Sequence, residues 1–539
     1  MSSVQLFMIC IMFIASMNLT ASICQGEIDM SDPNYAKNLK QGCFLIKPLG
    51  DWINRTTLAI LLVLIIAFLP LFLQMLTEQG FARAISRLGK QFMSLSPLYE
   101  VQVTQVYFNS LMTNLAYGGA RYIGTGRGFA TSRLSFSTLF SRFSDSSIYF
   151  GMRLMMLLTF FSAAYWKWPI LYFWISIAAM LITPFLYNPH QFVMTDFILD
   201  YRDYLRWLGA GNSSSNTNSW ISHCRLTRIR ITGYKRKRLG ERTPTTGFIS
   251  RAHKANIFFT EIMLPIIMAL IMLIAYTYLH GVSNVQEAKD NDGEVNSTLI
   301  RILIISLAPI VINFGLTIVF FFVSIGLGPC CSMCMPQFGK FIAGLVHGIA
   351  VIIYIGTFFL LWILESWSIA PTIMGIICQV FVERAIFAIL QHLLLSREFG
   401  EDETNVAWWT GRWYGKGMGG WAFTLTMREW LCKVIECSVF AADVMTGHLI
   451  LFFLSIFTLI PWVDKWHSAM LFWLRPSRQI RPPIYSLKQR KQRRRSAILY
   501  GILFIIMFAI FLVLIIAPQI LKPDISLPDT LTKYLNGRF

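Results

Sequence analysis

The run Leu487-Lys488-Gln489-Arg490-Lys491-Gln492-Arg493-Arg494-Arg495-Ser496 leads directly into Ala497-Ile498-Leu499-Tyr500-Gly501-Ile502-Leu503-Phe504-Ile505-Ile506-Met507-Phe508-Ala509-Ile510-Phe511-Leu512-Val513-Leu514-Ile515-Ile516-Ala517. Its first part holds six Lys/Arg and its second no charged residue. Roughly 20 apolar residues in a helix cross about 30 Å of hydrocarbon, and a cationic flank keeps its end beside anionic lipid. The stretch therefore reads as a membrane span with a basic cytosolic foot.

Similar apolar runs lie at about Val4–Cys24, Thr57–Thr77, Ile148–Trp166, Pro169–Tyr187, Ile257–Leu279, Ile302–Leu327, Phe341–Leu364, Ile369–Leu395 and Ser438–Ile460. Composition agrees with them. Of 539 residues, 55% are hydrophobic and 14% charged, with a mean hydropathy of +0.54. A soluble globule is about a quarter charged, so this chain lacks the polar surface to cover several soluble cores. Disordered, coiled-coil and collagen-like classes are excluded by the same figures. The expected fold is all-α: a polytopic transmembrane helical bundle of about 10–11 spans with amphipathic interfacial helices.

Charge placement excludes nucleic acid as the partner and orients the chain. Asn188–Asn256 carries 12 Lys/Arg against 4 Asp/Glu, and Val463–Ser496 carries 10 against 1, so two loops hold 17 of the net +19. Both are expected on the cytosolic side. Parity then places Gln25–Thr56 and His280–Arg301 outside, the latter with the sequon Asn296-Ser297-Thr298. Counting onward puts the basic Val463–Ser496 outside unless one more short or re-entrant segment lies near Trp462–Leu474, with Asp464 and Lys465 at a protein-lined turn. The expected organisation is 1–77, two spans and a short outer loop; 78–147, a cytosolic interfacial region with a glycine-rich run; 148–187, a span hairpin turning at Trp166-Lys167-Trp168-Pro169; 188–256, basic and interfacial; 257–395, four spans; 396–437, a cytosolic loop; 438–474, spanning or re-entrant; 475–496, a basic cytosolic loop; 497–517, the last span; and 518–539, a short outer tail. Met1–Cys24 reads equally as a span or as a secretory signal peptide cleaved near Ala21-Ser22-Ile23-Cys24, although it lacks a basic leading region.

Several constellations carry chemistry. Gly118–Gly128 offers backbone N–H groups together with Arg121, Gly124, Gly126, Arg127 and Gly128, either to cradle a phosphate or to pack closely beneath a domain. In Asp196–Trp207 the charges Asp200, Arg202, Asp203 and Arg206 fall at helical spacing, as an interfacial platform with Phe197, Tyr201, Tyr204 and Trp207 at the lipid boundary. Ionisable groups inside spans face protein or a water-filled path. Here they include Glu261, His347, Glu365, Glu383, Arg384, Glu436, Asp443 and His448. They serve helix-to-helix hydrogen bonding or a polar conduit, to which Tyr107, Trp362, Trp367 and Trp413 would add aromatic faces. Glu383 and Arg384 diverge by about 100° on one helix and need separate partners. Cys24 and Cys43 fall on the outer side, where they can pair. Cys330, Cys331 and Cys334 are too few for a structural zinc site, and no metal site is expected.

Longer motifs identify a family. They include Gly118-Gly119-Ala120-Arg121-Tyr122-Ile123-Gly124-Thr125-Gly126-Arg127-Gly128-Phe129, Asn188-Pro189-His190-Gln191-Phe192, Asp200-Tyr201-Arg202-Asp203-Tyr204-Leu205-Arg206-Trp207-Leu208, Arg230-Ile231-Thr232-Gly233-Tyr234-Lys235, Trp409-Thr410-Gly411-Arg412-Trp413-Tyr414-Gly415-Lys416 and Leu471-Phe472-Trp473-Leu474-Arg475-Pro476-Ser477-Arg478-Gln479-Ile480-Arg481-Pro482-Pro483. Together they resemble the carboxy-terminal membrane half of the fungal 1,3-β-glucan synthases. The resemblance implies a plasma-membrane enzyme, reached through the secretory pathway, that transfers glucose from UDP-glucose to a growing β-1,3-glucan and exports it. It also implies a catalytic domain ahead of the equivalent of Val4–Cys24. Met1–Cys24 is then an internal span, and Met1 opens a truncated product or a split gene. This chain is expected to hold no catalytic residue and no cofactor, and to be inactive alone. The implied partners are the missing catalytic half, a Rho-type GTPase, membrane lipid and nascent glucan. Asp51, Trp52, Arg55 and Leu58 resemble a segment where echinocandin-resistance changes cluster, although the family usually has a basic residue where Asn54 stands. The rival readings are a free-standing transporter, which predicts an inverted repeat that is not evident here, and a non-catalytic accessory membrane subunit.

Overall fold

The computed structural model describes residues 68–117, 133–164, 170–209, 258–283, 306–319, 338–364, 369–394, 427–474 and 484–521, with a few isolated positions besides. All regular structure among them is helical. The elements are α1 (Phe81–Met93), α2 (Ser96–Tyr117), α3 (Phe136–Phe143) running into the π-helical turn Ser144–Ile148, α4 (Tyr149–Ala164), α5 (Ile170–Leu186) and α6 (Met194–Gly209). After the π-helical turn Phe259–Met263 come α7 (Leu264–Ser283), α8 (Phe338–Leu364), α9 (Ile369–Leu394), α10 (Met427–Thr458), α11 (Pro461–Leu474) and α12 (Leu487–Leu521). Four helical stretches are long and apolar enough to cross a membrane: Gly344–Trp362, Thr372–Leu390, Val434–Thr458 and Leu487–Pro518. Shorter apolar helices occupy Ile170–Leu186, Leu264–Leu273 and Ser306–Val319. The protein is an integral, all-helical membrane protein.

Two compact units form. The first takes in Met1–Val106, Asp145–Tyr187 and Ser468–Gln479. Within it α4 and α5 pack as a hairpin, burying Leu154, Leu157, Leu158, Phe173, Ile177 and Met180. Pro184 sits inside α5 and has no N–H for the carbonyl of Met180 four residues earlier. The hydroxyl of Ser147 donates to that freed carbonyl at 2.6 Å, so the proline leaves no orphaned acceptor at the helix contact. Gly151 is required close by, because a Cβ there would stand 3.1 Å from Leu181 and 3.2 Å from Met180.

The second unit comprises Tyr107–Ser144, Asn188–His467 and Ile480–Phe539. Helix α9 packs on α7, α8 and α10, α8 packs on α10, and α6 lies against α3, α10 and α12. Close approach is again made by glycine: a Cβ on Gly375 of α9 would meet Leu361 of α8 at 2.6 Å. Helix α12 starts from a reciprocal cap. Ser486 Oγ accepts from the Gln489 N–H at 3.3 Å, and Gln489 Oε1 accepts from the Ser486 N–H at 3.0 Å. At 1.5 Å per residue its 35 residues extend about 50 Å, well beyond the hydrocarbon thickness. Little of its spanning window is buried within this chain.

Three helix bounds differ from the expected segment limits. The basic 475–496 segment is helical from Leu487, as an extension of the last span. The 396–437 loop gives way to helix at Met427, so α10 begins eleven residues before the expected Ser438. Asp464 lies in the first turn of α11 and Lys465 directly after it, not at a turn between segments; an acidic residue there complements the positive end of the helix dipole. At 14 residues, about 21 Å, α11 is too short to cross the hydrocarbon alone.

Candidate functional site: a polar network joining helix α6 to the spans

The second unit concentrates its buried polar groups around α6, α9 and α10. The Asn188-Pro189-His190-Gln191 motif sets the approach to α6. Asn188 Oδ1 accepts from the Leu134 N–H and Asn188 Nδ2 donates to the Leu134 carbonyl, both at 2.9 Å. Asn188 Nδ2 also donates to Gln191 Oε1 at 2.6 Å. This two-way clamp holds residues 133–135 beside α6 and places Arg133 in a bidentate pair with Asp200, at 2.8 and 2.6 Å. The third guanidinium donor, Arg133 Nε, reaches the His190 carbonyl at 3.4 Å. Asp200 is buried while Arg133 stays partly exposed. Burial pushes the Asp200 carboxyl up to about 7, against the opposing pull of Arg133.

The other charges of α6 go elsewhere. Asp196 pairs with Arg493 in the basic start of α12, and the Arg493 guanidinium lies 4.1 Å from the centre of the Tyr485 ring. Arg202 pairs with the neighbouring Asp203 at 2.8 Å, and Arg206 is exposed. The aromatic residues expected at the lipid boundary are instead inside the protein: Phe197, Tyr201, Tyr204 and Trp207 are all buried. Phe197 and Tyr201 meet Phe504 of α12 edge-on, and Tyr204 and Trp207 meet Phe140 of α3. The apolar face of α6 is wide enough to be covered by three helices, which a helical wheel of α6 alone cannot distinguish from cover by lipid.

The tyrosines of α6 also reach the spans. The Tyr204 hydroxyl donates to the Asp443 carbonyl of α10 at 2.9 Å, and Gly447 makes room for it, since a Cβ there would collide with the phenol. Tyr201 and His448 approach at 3.5 Å. The His448 Nδ1 lies 2.7 Å from the Val444 carbonyl, so Nδ1 carries the proton and Nε2 faces the Tyr201 hydroxyl as acceptor.

Asp443 is the centre of the network. Its carboxylate accepts from Trp220 Nε1 at 2.9 Å and forms an ion pair with Arg384 of α9. Glu383, on a different face of α9, accepts from Gln379 Nε2 at 3.3 Å, and Gln379 also donates to Thr357 of α8 at 3.2 Å. Glu383 is fully buried. His347 lies 4.9 Å from the Phe440 ring, and Asn313 donates to Ser438 at 2.9 Å. The network thus ties three spanning helices to one another and to α6 through hydrogen bonds and an ion pair, which is expensive to build in hydrocarbon unless every group is satisfied. Among the described residues no set of three His, Cys, Asp or Glu side chains converges as a metal cage would require.

Of the expected site residues, Asp200, Arg384 and Asp443 enter ion pairs of this network, and Glu383 its hydrogen bonds. Arg202 and Asp203 pair locally, and His347 packs against α10. Glu261 falls in the π-helical turn ahead of α7, and Leu58 is helical and exposed. Arg121, Gly124, Gly126, Arg127, Gly128, Asp51, Trp52, Arg55, Cys24, Cys43 and Asn296 lie outside the described residues. The expectation did not include Arg133, Trp220 or Gln379. Nothing in the sequence pairs Arg133 with a residue 67 positions away, or Trp220 with one 223 away.

Known proteins carry related sequences. The family model described as "1,3-beta-glucan synthase component" matches residues 1–331. The 1,3-beta-glucan synthase component bgs2 of Schizosaccharomyces pombe is 44% identical over 528 residues, 97% of this chain and 28% of that protein. The 1,3-beta-glucan synthase component FKS1 of Aspergillus niger is 44% identical over 530 residues, 97% of this chain and 27% of its own length. Callose synthase 4 of Arabidopsis thaliana is 24% identical over 182 residues. The chain spans just over a quarter of the length of the curated fungal relatives it matches.

Proposed function

Because the chain belongs to the 1,3-beta-glucan synthase component family, we propose that it is the membrane-embedded part of a synthase that transfers glucose from UDP-glucose to a growing β-1,3-glucan and passes the polymer across the plasma membrane. The observation that carries this is 44% identity along 97% of the chain to a named synthase component, in a protein built of spanning helices. Sugar transfer is assigned to the part of the enzyme that corresponds to the remaining length of the relatives, and this chain to the seat and the exit path. The chain alone is then inactive. Helix α6 suits the role of a seat, since a buried bond from Tyr204 fixes it to α10 and an ion pair from Asp196 fixes it to the start of α12. Glu383, Arg384, Asp443 and His347 are the polar groups assigned to the path or to its packing. The glycine-rich run from Arg121 to Gly128 is assigned to contact with the catalytic part or its nucleotide. A Rho-type GTPase, lipid and nascent glucan are the partners of this reading.

A chimera tests it. The matching quarter of the Schizosaccharomyces pombe protein is replaced by this chain, and membranes are given labelled UDP-glucose. The chimera should make polymer sensitive to a β-1,3-glucanase while this chain alone makes none. Polymer from the chain alone, or an inactive chimera that is nevertheless folded and correctly delivered, overturns the assignment.

A further inference from the structure

Helix α1 (Phe81–Met93) of the first unit has two chemically opposite faces. At 100° per residue Phe81, Ile85, Leu88 and Phe92 fall within an arc of about 60°, and Arg83, Arg87 and Lys90 within a second such arc on the far side. The helix contains no acidic residue. Much of its apolar face is exposed: Phe81 is 63% exposed, Ile85 49% and Phe92 45%, with Leu88 half-buried. The flank is different, since Ala84 is buried. Among the described residues, none of the three cations has an ion-pair partner.

The position of α1 is fixed at both ends. Gly80, at φ +84°, makes the corner after the helical residues 68–79; that left-handed conformation suits glycine. At the other end Leu95 is also left-handed, at φ 54°. The Tyr187 hydroxyl lies 2.9 Å from the Ser94 carbonyl and 2.8 Å from that of Leu95, pinning the second corner. Between the corners α1 folds back on the end of the preceding apolar run. Phe92 lies 5.1 Å from Phe68 and Phe81 lies 6.4 Å from Phe72, ring centre to ring centre. Leu69 and Leu73 of that run are themselves exposed, so its greasy surface and that of α1 are continuous.

We propose that α1 lies in the plane of an anionic membrane leaflet, with Phe81, Ile85 and Phe92 among the acyl chains and Arg83, Arg87 and Lys90 in the headgroup layer. The occupant is argued from two features. The exposed apolar face continues one that belongs to a predicted span, which sets it at bilayer depth. The polar face carries three cations and no carboxylate, which matches lipid phosphates. A helix covered on its apolar face by another protein domain would need neither feature. The inference does not depend on the catalytic reading.

The test uses the full chain in nanodiscs of equimolar phosphatidylcholine and phosphatidylserine. A photoreactive benzoylphenylalanine replaces Ile85 or Phe92, and in a control it replaces Ser86 on the polar face. Adducts are identified by mass spectrometry. Lipid acyl chains should be captured at positions 85 and 92 and not at 86. Adducts to peptide at positions 85 and 92, or equal lipid capture at all three positions, overturn the proposal. With the probe at 85, each of Arg83→Gln, Arg87→Gln and Lys90→Gln should lower the ratio of phosphatidylserine to phosphatidylcholine adducts about fivefold. An unchanged ratio in all three single variants removes the anionic half of the proposal.

Discussion

Asp443 decides more at the residue scale than any other side chain in the network. Its carboxylate holds Arg384 and Trp220, and its backbone carbonyl holds Tyr204. Asp443→Ala breaks a buried ion pair by removing one partner, which costs about 3–5 kcal/mol. Replacing both partners, Asp443→Leu with Arg384→Met, should restore most of that loss, because the burial of charge disappears with the pair. Thermal unfolding of the purified protein in detergent checks both; a double variant no more stable than Asp443→Ala alone contradicts the pairing. Asp200 gives a pH signature instead. Its folded-state value of about 7 stands above the unfolded 3.8, so the folded state holds the proton more tightly. That stability is present below the unfolded value and is lost as pH rises toward 7, at up to about 1.4 kcal/mol per pH unit. Wild type should therefore lose stability relative to Asp200→Asn between pH 4 and 7, with no further change above it. A difference that is flat over that range, or of opposite sign, contradicts the burial argument.

Among whole elements, the spans were legible because a run of apolar residues has one solution in hydrocarbon, a helix. Ala497–Ala517 could be placed from composition alone. The start of α12 was not, since six Lys/Arg repel one another and lie at the positive end of a helix dipole. Such a segment reads as solvated coil. Two local devices offset the repulsion: the Ser486/Gln489 cap and the bond from Asp196 to Arg493. The first is a Ser-x-x-Gln spacing whose two bonds the structure shows. The second was not legible in the sequence, because Asp196 is 297 residues away. Helix α6 shows the complementary limit. Its periodicity gives the apolar face but not what covers it, and the cover is protein. The cap can be tested alone. Ser486→Ala should destabilise the first turn by about 1 kcal/mol, seen as roughly fivefold faster amide exchange at Lys488–Gln489 with the span beyond Ser496 unaffected. Unchanged exchange there means that Asp196 alone holds the helix start.

For the whole molecule, the placement of charge predicts the orientation in the membrane, and one sequon reads it out. The basic blocks 188–256 and 463–496 carry 17 of the 19 net charges, and translocating them outward is opposed by the bias that retains Lys/Arg in the cytosol. If both are inside, an odd number of crossings separates each from 280–301, which contains Asn296-Ser297-Thr298. Oligosaccharide is added only on the lumenal side of the secretory membrane, so Asn296 should be modified in the expressed protein, and glycosidase treatment should shift its mobility by one glycan. Asn296→Gln should abolish the shift. A sequon inserted after Gln489 should stay unmodified, because it would lie in the basic foot of α12 on the opposite side. The two sites need not be equally accessible for the result to be decisive: a glycan at the inserted site with none at Asn296 reverses the orientation. It would also place the basic start of α12, with the Asp196–Arg493 pair and the helix that pair anchors, on the outer face, where α6 could not serve as the seat of a cytosolic catalytic part.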